Sequence, residues 1–290
     1  MGSNPTSSAI IVLSFEFTCP IANAWRIEDH RRMALPRSFS DIVASTAKQK
    51  LAAAQARQNP DVTAEKPRDA IFGALDIVDR AITADGFAFA RSGPKFSQKA
   101  GDLTFEITIQ SDRNNVAGQR AAVWVHASVY SRVLTAWRKQ HDSEWIRPNA
   151  PFPLPLFATQ LGYLCQPSGW MEWDFAEPDK RQSVAEDLVV SIRTGAYSLF
   201  STFEGPIEGI AALSQFDWPP PEGVLSYLLA KGSRALATRT MNEYCDARPD
   251  FKMKFEALCR QFELEGLPAY RSATPHDMAA FAVATGYPWK

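Results

Sequence analysis

The chain has 290 residues, 46% of them hydrophobic and 22% charged. That is enough to bury the core of one large domain or two, and too apolar for a disordered chain. A formal net charge of −1 excludes a strong global field that would recruit nucleic acid or anionic lipid.

The first residues show no clear periodicity. Ala9 to Phe15 has the apolar character of a short signal-peptide core, but Met1 to Ser8 carries no Lys or Arg as a basic lead-in. The segment reads as a loosely held extension, with Met33 as a second plausible start. Ser38 to Ala56 is rich in Ala, Gln and Lys and suits a helix, and Gln58 to Pro67 reads as a linker. Ile71, Ala74, Leu75, Val78 and Ile82 recur at three and four residues, which predicts a helix near 69–83 stopped by Asp85-Gly86.

A meander of strands follows: Phe87 to Arg91, Lys95 to Lys99, 103–110 and 120–130. The last two alternate strictly, the mark of a strand with one buried face. Leu103, Phe105, Ile107 and Ile109 oppose Thr104, Glu106, Thr108 and Gln110. Ala121, Val123, Val125, Ala127 and Val129 oppose Trp124, His126, Ser128 and Tyr130. Short connections require antiparallel pairing. The polar link Ser111 to Gln119 is long for a hairpin and is expected to stand out as a flexible tip.

Pro148, Pro151, Pro153 and Pro155 predict an extended surface loop over 142–158. Leu161 to Cys165 and Gly169 to Phe175 suit a hairpin or short edge strands. Val184, Leu188, Ile192, Leu199 and Phe203 share a stripe, predicting a long helix over about 181–203 ended by Gly205-Pro206. Helices near 207–214, 222–230, 233–246, 250–264 and 275–284 complete the chain, separated by Pro and Gly.

The expected architecture is α+β: a mostly antiparallel sheet of four to six strands packed on helices, with a helical C-terminal region. The expected organisation is an N-terminal extension and helix (1–66), a sheet domain (67–215) and a helical region (216–290). No run of 18 apolar residues predicts a membrane span. Cys19, Cys165, Cys245 and Cys259 lie far apart without a CxxC pair, and read as free thiols of a reducing cytoplasm.

The order of elements carries a resemblance. Asp85-Gly-Phe-Ala-Phe, the Lys-Phe strand, the strand ending Ile-Thr-Ile-Gln110 and Val123-Trp-Val-His-Ala127 come first. Leu161-Gly-Tyr-Leu, a Trp170/Trp173 strand and a long helix with Ala196-Tyr-Ser-Leu-Phe-Ser-Thr-Phe203 follow. Over roughly residues 68–245 this resembles the bacterial domain-of-unknown-function family four-three-zero-four. The resemblance implies the same fold, and no chemistry comes with it. The 67-residue front, the loop at 148–155 and the tail beyond 265 depart from the family.

Three constellations could carry function. Glu106 could orient His126 as a general base, if the two strand faces coincide; a strand histidine with ordinary packing is the plainer reading. Glu172 and Asp174, beside Trp170, could form an acid pair or hold a cation. The plainer reading is the solvent face of an edge strand whose Met171, Trp173 and Phe175 point inward. Arg91, Lys95, Lys99, Arg113 and Arg120 could join Trp124 and Tyr130 as a stacking platform for single-stranded nucleic acid. Asp102, Glu106 and Asp112 in the same stretch oppose that, and charged edges commonly guard sheets against aggregation.

No Gly-x-Ser-x-Gly elbow, dinucleotide fingerprint or phosphate-binding loop occurs. The sequence therefore favours a non-catalytic cytoplasmic binding protein, with a protein partner, no cofactor and no metal. An immunity- or defence-associated role is one form of it. Membrane and nucleic acid are disfavoured as partners. The candidate binding set is Trp124, His126, Tyr130, Glu106 and Arg91. The alternatives are an enzyme using a His/carboxylate pair and a single-stranded nucleic-acid binder.

Overall fold

The computed structural model describes residues 64–141, 153–215, 222–267 and 274–286. The helix expected over 38–56, the features before it and most of the linker lie outside these residues.

Helix α1 (Pro67–Ala84) starts on a proline, whose missing N–H costs nothing at that position, with Asp69 in its first turn. Its stripe of Ile71, Ala74, Leu75, Val78 and Ile82 is buried. The helix ends where the Asp85 and Gly86 amides donate to the carbonyls of Ile82 and Thr83. Gly86 has φ of 95°, a conformation costly for a residue with a Cβ.

Strands β1 (Ala88–Ala90), β2 (Lys95–Ala100), β3 (Leu103–Ser111) and β4 (Ala122–Ser131) then form the expected antiparallel meander. Ile107 lies between Phe96 and Ala127, and all three are fully buried. Each aliphatic or aromatic side chain buried this way contributes ~1.5–3 kcal/mol.

The link between β3 and β4 does not stand out as a flexible tip. Asp112 is buried and accepts the Asn114 amide at 2.9 Å. The Asn115 side chain exchanges two hydrogen bonds with the backbone of Ala122, at 2.9 and 2.8 Å. Val116 and Arg120 form a bridge, and the Gly118 amide donates to the carbonyl of Glu65. Polar side chains that look like solvent-facing loop residues here replace backbone partners at the mouth of the hairpin.

Helix α2 (Arg132–Gln140) was not foreseen. Ser131 caps it by accepting the Leu134 amide at 3.1 Å. The expected surface loop over 142–158 also needs correction at its end. Leu156 and Phe157 are buried, and β5 (Phe157–Gln160) pairs with β4. The prolines precede the strand, so they remove no ladder hydrogen bond from it.

Leu161–Leu164 forms a short 3₁₀ turn rather than a strand. Strand β6 (Trp173–Asp174) returns to β4 at Ala122 and Val123, while β5 holds the same edge from His126 to Val129. The sheet order is β1-β2-β3-β4-β5, with β6 also on β4.

The long helix, α3, runs through Pro178–Ser191, a widened π turn at Ile192–Ala196, and Tyr197–Glu204. Its buried positions keep three- and four-residue spacing through the π turn, so periodicity does not reveal it. A Cβ at Gly195 would come within 3.1 Å of Leu161 and Leu164, so this turn lies close against the 3₁₀ segment. Phe200 stacks on Phe105 at 4.7 Å, which places α3 on the apolar face of the sheet.

Helices α4 (Ile207–Ala212), α5 (Glu222–Ala230), α6 (Arg234–Asp246), α7 (Pro249–Glu265) and α8 (Thr274–Ala284) follow close to expectation. Helix α5 is held to the sheet region by buried Arg138, whose Nη2 donates to Glu222 at 3.0 Å. At Gly223 a Cβ would lie 2.1 Å from the carbonyl oxygen of Leu156, so only glycine admits this approach. One cluster of buried residues runs from Ala70 in α1 to Ala282 in α8. Among the described residues no helix is long and apolar enough to cross a membrane.

Candidate functional site

The pleat turns alternate residues of β2, β3 and β4 away from the helices. On that second face the register sets Lys95 opposite Thr108, Ser97 opposite Glu106, Thr108 opposite His126, and Gln110 opposite Trp124. Tyr130 faces Thr104. Trp124, His126 and Tyr130 therefore share one surface, as their alternation predicts, and each is partly buried.

Trp170 reaches this surface from the segment leading into β6. Its ring meets Trp124 edge-on with centroids 5.3 Å apart, and lies 6.4 Å from the ring of His126. Trp170 is 52% exposed and links the rings of Trp124 and His126. Trp170 has the strand parity of Glu172 and Asp174. What the sequence did not show is that this segment returns to β4, so Trp170 was missed as a partner of His126.

Glu106 does not orient His126. It lies across from Ser128, and its carboxylate accepts Lys95 Nζ at 2.8 Å. His126 has Gln160 opposite it on β5. Gln160 is itself committed, accepting the Gly162 amide at 2.7 Å and donating to the carbonyl of Met171. Burial alone pushes the His126 imidazole below its ordinary value of 6.5, and no carboxylate counters it. The ring is thus a half-buried neutral imidazole, suited to hydrogen bonding and ring contact. Burial also raises the Tyr130 hydroxyl, with the charge of Glu106 adding to it.

Arg91 does not join this surface. It pairs with Asp76 of α1 at 2.7 Å and lies 4.8 Å from the ring of Phe72. The reason is parity: Phe89 stacks on buried Phe96 on the helix-covered face, and Arg91 follows two residues later.

Glu172 and Asp174 are not a free acid pair. Arg120 Nη2 donates to Glu172 at 2.7 Å and to buried Asp112 at 3.0 Å. Trp124 Nε1 also donates to Glu172, at 3.4 Å. Asp174 accepts the amides of Ala121 and Ala176 at 2.8 and 3.0 Å. These carboxylates close the edge between β4 and β6. Trp173 and Phe175 point inward and are buried, as expected. Among the described residues no group of three His, Cys, Asp or Glu is placed to hold a metal ion.

No family model matches the chain, and neither a curated protein nor a solved structure matches it.

Proposed function

We propose that this is a binding protein that engages a protein partner through the second face of its sheet, centred on Trp124, His126 and Trp170. The carrying observation is the aromatic group on the sheet surface, in which Trp170, 52% exposed, meets the rings of both Trp124 and His126. Tryptophan and tyrosine dominate protein–protein hot spots because they bury large area at little entropic cost. Thr104, Thr108 and Gln110 add hydrogen-bonding groups around them.

Two cations of this face are already matched, Lys95 with Glu106 and Arg120 with Glu172, which leaves exposed Lys99, opposite Thr104, without an ion pair among the described residues. A surface balanced to this extent gives little attraction to a phosphate backbone, which favours a protein over a nucleic acid. The proposed setting is a bacterial cytoplasm, in keeping with the buried free thiols of Cys165, Cys245 and Cys259. Membership of the family resembled over residues 68–245 belongs to the same proposal.

The test is quantitative capture from the native host, comparing wild type with a Trp124→Ala/Trp170→Ala double variant. A specific partner held by wild type and lost from the folded variant is the expected result. Equal capture by both would overturn the reading. A partner whose release by salt is steep and removed by nuclease would point instead to nucleic acid.

A further inference from the structure

A second feature lies away from the aromatic face. A cavity of about 470 Å³ opens where the β2–β3 turn, the end of α3, the start of α4 and the end of α5 meet. Its volume falls within the range of small-molecule sites, and such sites favour seams between packed units.

The apolar wall is built by Leu103, Phe203, Ile207 and Ile210. The polar end is built by Asp102, Lys231 and Tyr227. Lys231 Nζ donates to Asp102 at 2.9 Å and stands 5.3 Å from the ring of Tyr227. The other oxygen of Asp102 accepts Ser131 Oγ at 2.8 Å. Burial works against the charge of Asp102, but the hydrogen bonds from Lys231 and Ser131 outweigh it and hold the carboxyl below its ordinary range. The cation of this wall is therefore already matched and held in place.

Glu204 lines the same cavity and is exposed. Its carboxylate has no hydrogen bond or ion pair among the described residues. Asp102, Glu204 and Lys231 together leave the wall with one uncompensated negative charge. An incoming anion would have to displace Asp102 from Lys231 and approach Glu204. A neutral apolar molecule would leave Glu204 unanswered.

We propose that this cavity binds a small organic ammonium ion with an apolar body. The ammonium pairs with Glu204, and the body rests on Leu103, Phe203 and Ile210. Tyr227, hydrogen-bonded to Lys231, lines the cavity beside them.

The test uses 2-phenylethylamine, followed by ligand-observed NMR on the full chain, with phenylacetate and 2-phenylethanol as charge-reversed and neutral probes. The amine should show saturable millimolar binding, about threefold tighter than either other probe. Glu204→Gln should weaken the amine about threefold, since a solvent-screened ion pair is lost. Glu204→Lys should reverse the preference toward phenylacetate. Both substitutions are at an exposed position, so folding is preserved, and unchanged thermal unfolding verifies it. No saturable amine binding, equal binding of the three probes, or equal amine binding by wild type and Glu204→Gln would each overturn the proposal. None of these outcomes bears on the aromatic face.

Discussion

The two faces of β3 and β4 are written in alternate residues of the same two segments, yet they are built on different principles. The helix-covered face is uniform: Leu103, Phe105, Ile107 and Ile109 on one strand, Val123, Val125, Ala127 and Val129 on the next, all buried. Its stability is the non-directional removal of apolar area from water. The second face is assembled pair by pair: Lys95 with Glu106, Trp124 with Glu172 and Trp170, Glu172 in turn with Arg120. Directional contacts on a partly wet surface contribute little each, so this face is free to be shaped by what it touches. Packing tolerates chemical sameness and resists cavities, whereas the paired face tolerates truncation and depends on which group meets which.

The sharpest way to break this contrast is at Ile107 and its neighbour. Ile107→Ala should cost ~2–5 kcal/mol in urea unfolding, because the site is fully buried. Gly223→Ala follows, at roughly 1–3 kcal/mol, because its new Cβ would force α5 away from the backbone of Leu156. Arg120→Met should cost about 1–3 kcal/mol by leaving buried Asp112 without its cation. A loss as large as that of Ile107→Ala would mean that the pairs carry the second face as strongly as packing carries the first.

His126 provides a smaller, pH-dependent effect. Above its ordinary value of 6.5 the imidazole is neutral in both the folded and unfolded chain and adds nothing. As pH falls through 6.5 the unfolded chain takes up the proton first, so stability drops until the lower folded value is reached. His126→Gln should therefore lose less stability than wild type between about pH 8 and about pH 5.5, read as urea midpoints. A steeper loss in the variant would show that a carboxylate supports the imidazolium. Smallest of all, Thr108→Ala should change stability by no more than about 0.5 kcal/mol. Equal losses at Thr108 and Ile107 would mean that both faces are packed alike.

How much was legible depends on how local each feature is. The side chain of a strand residue points by parity, and that of a helix residue by a period of 3.6, whatever the rest of the chain does. The sequence by itself thus determined the apolar faces of β3 and β4, the buried stripe of α1, most of α3, the C-terminal helices, and the surface shared by Trp124, His126 and Tyr130. Tertiary structure decided which groups meet. β5 and β6 divide one edge of β4 although the chain between them leaves the sheet. Asp112, Arg120 and Glu172 come together across sixty residues of sequence. Glu106 chose Lys95 over His126, Arg91 turned to Asp76, and Trp170 came to lean on His126. A charged or aromatic side chain has many partners of equal chemistry along the chain. The physical reason is that partner choice follows distance and burial, and these exist only once the backbone has closed.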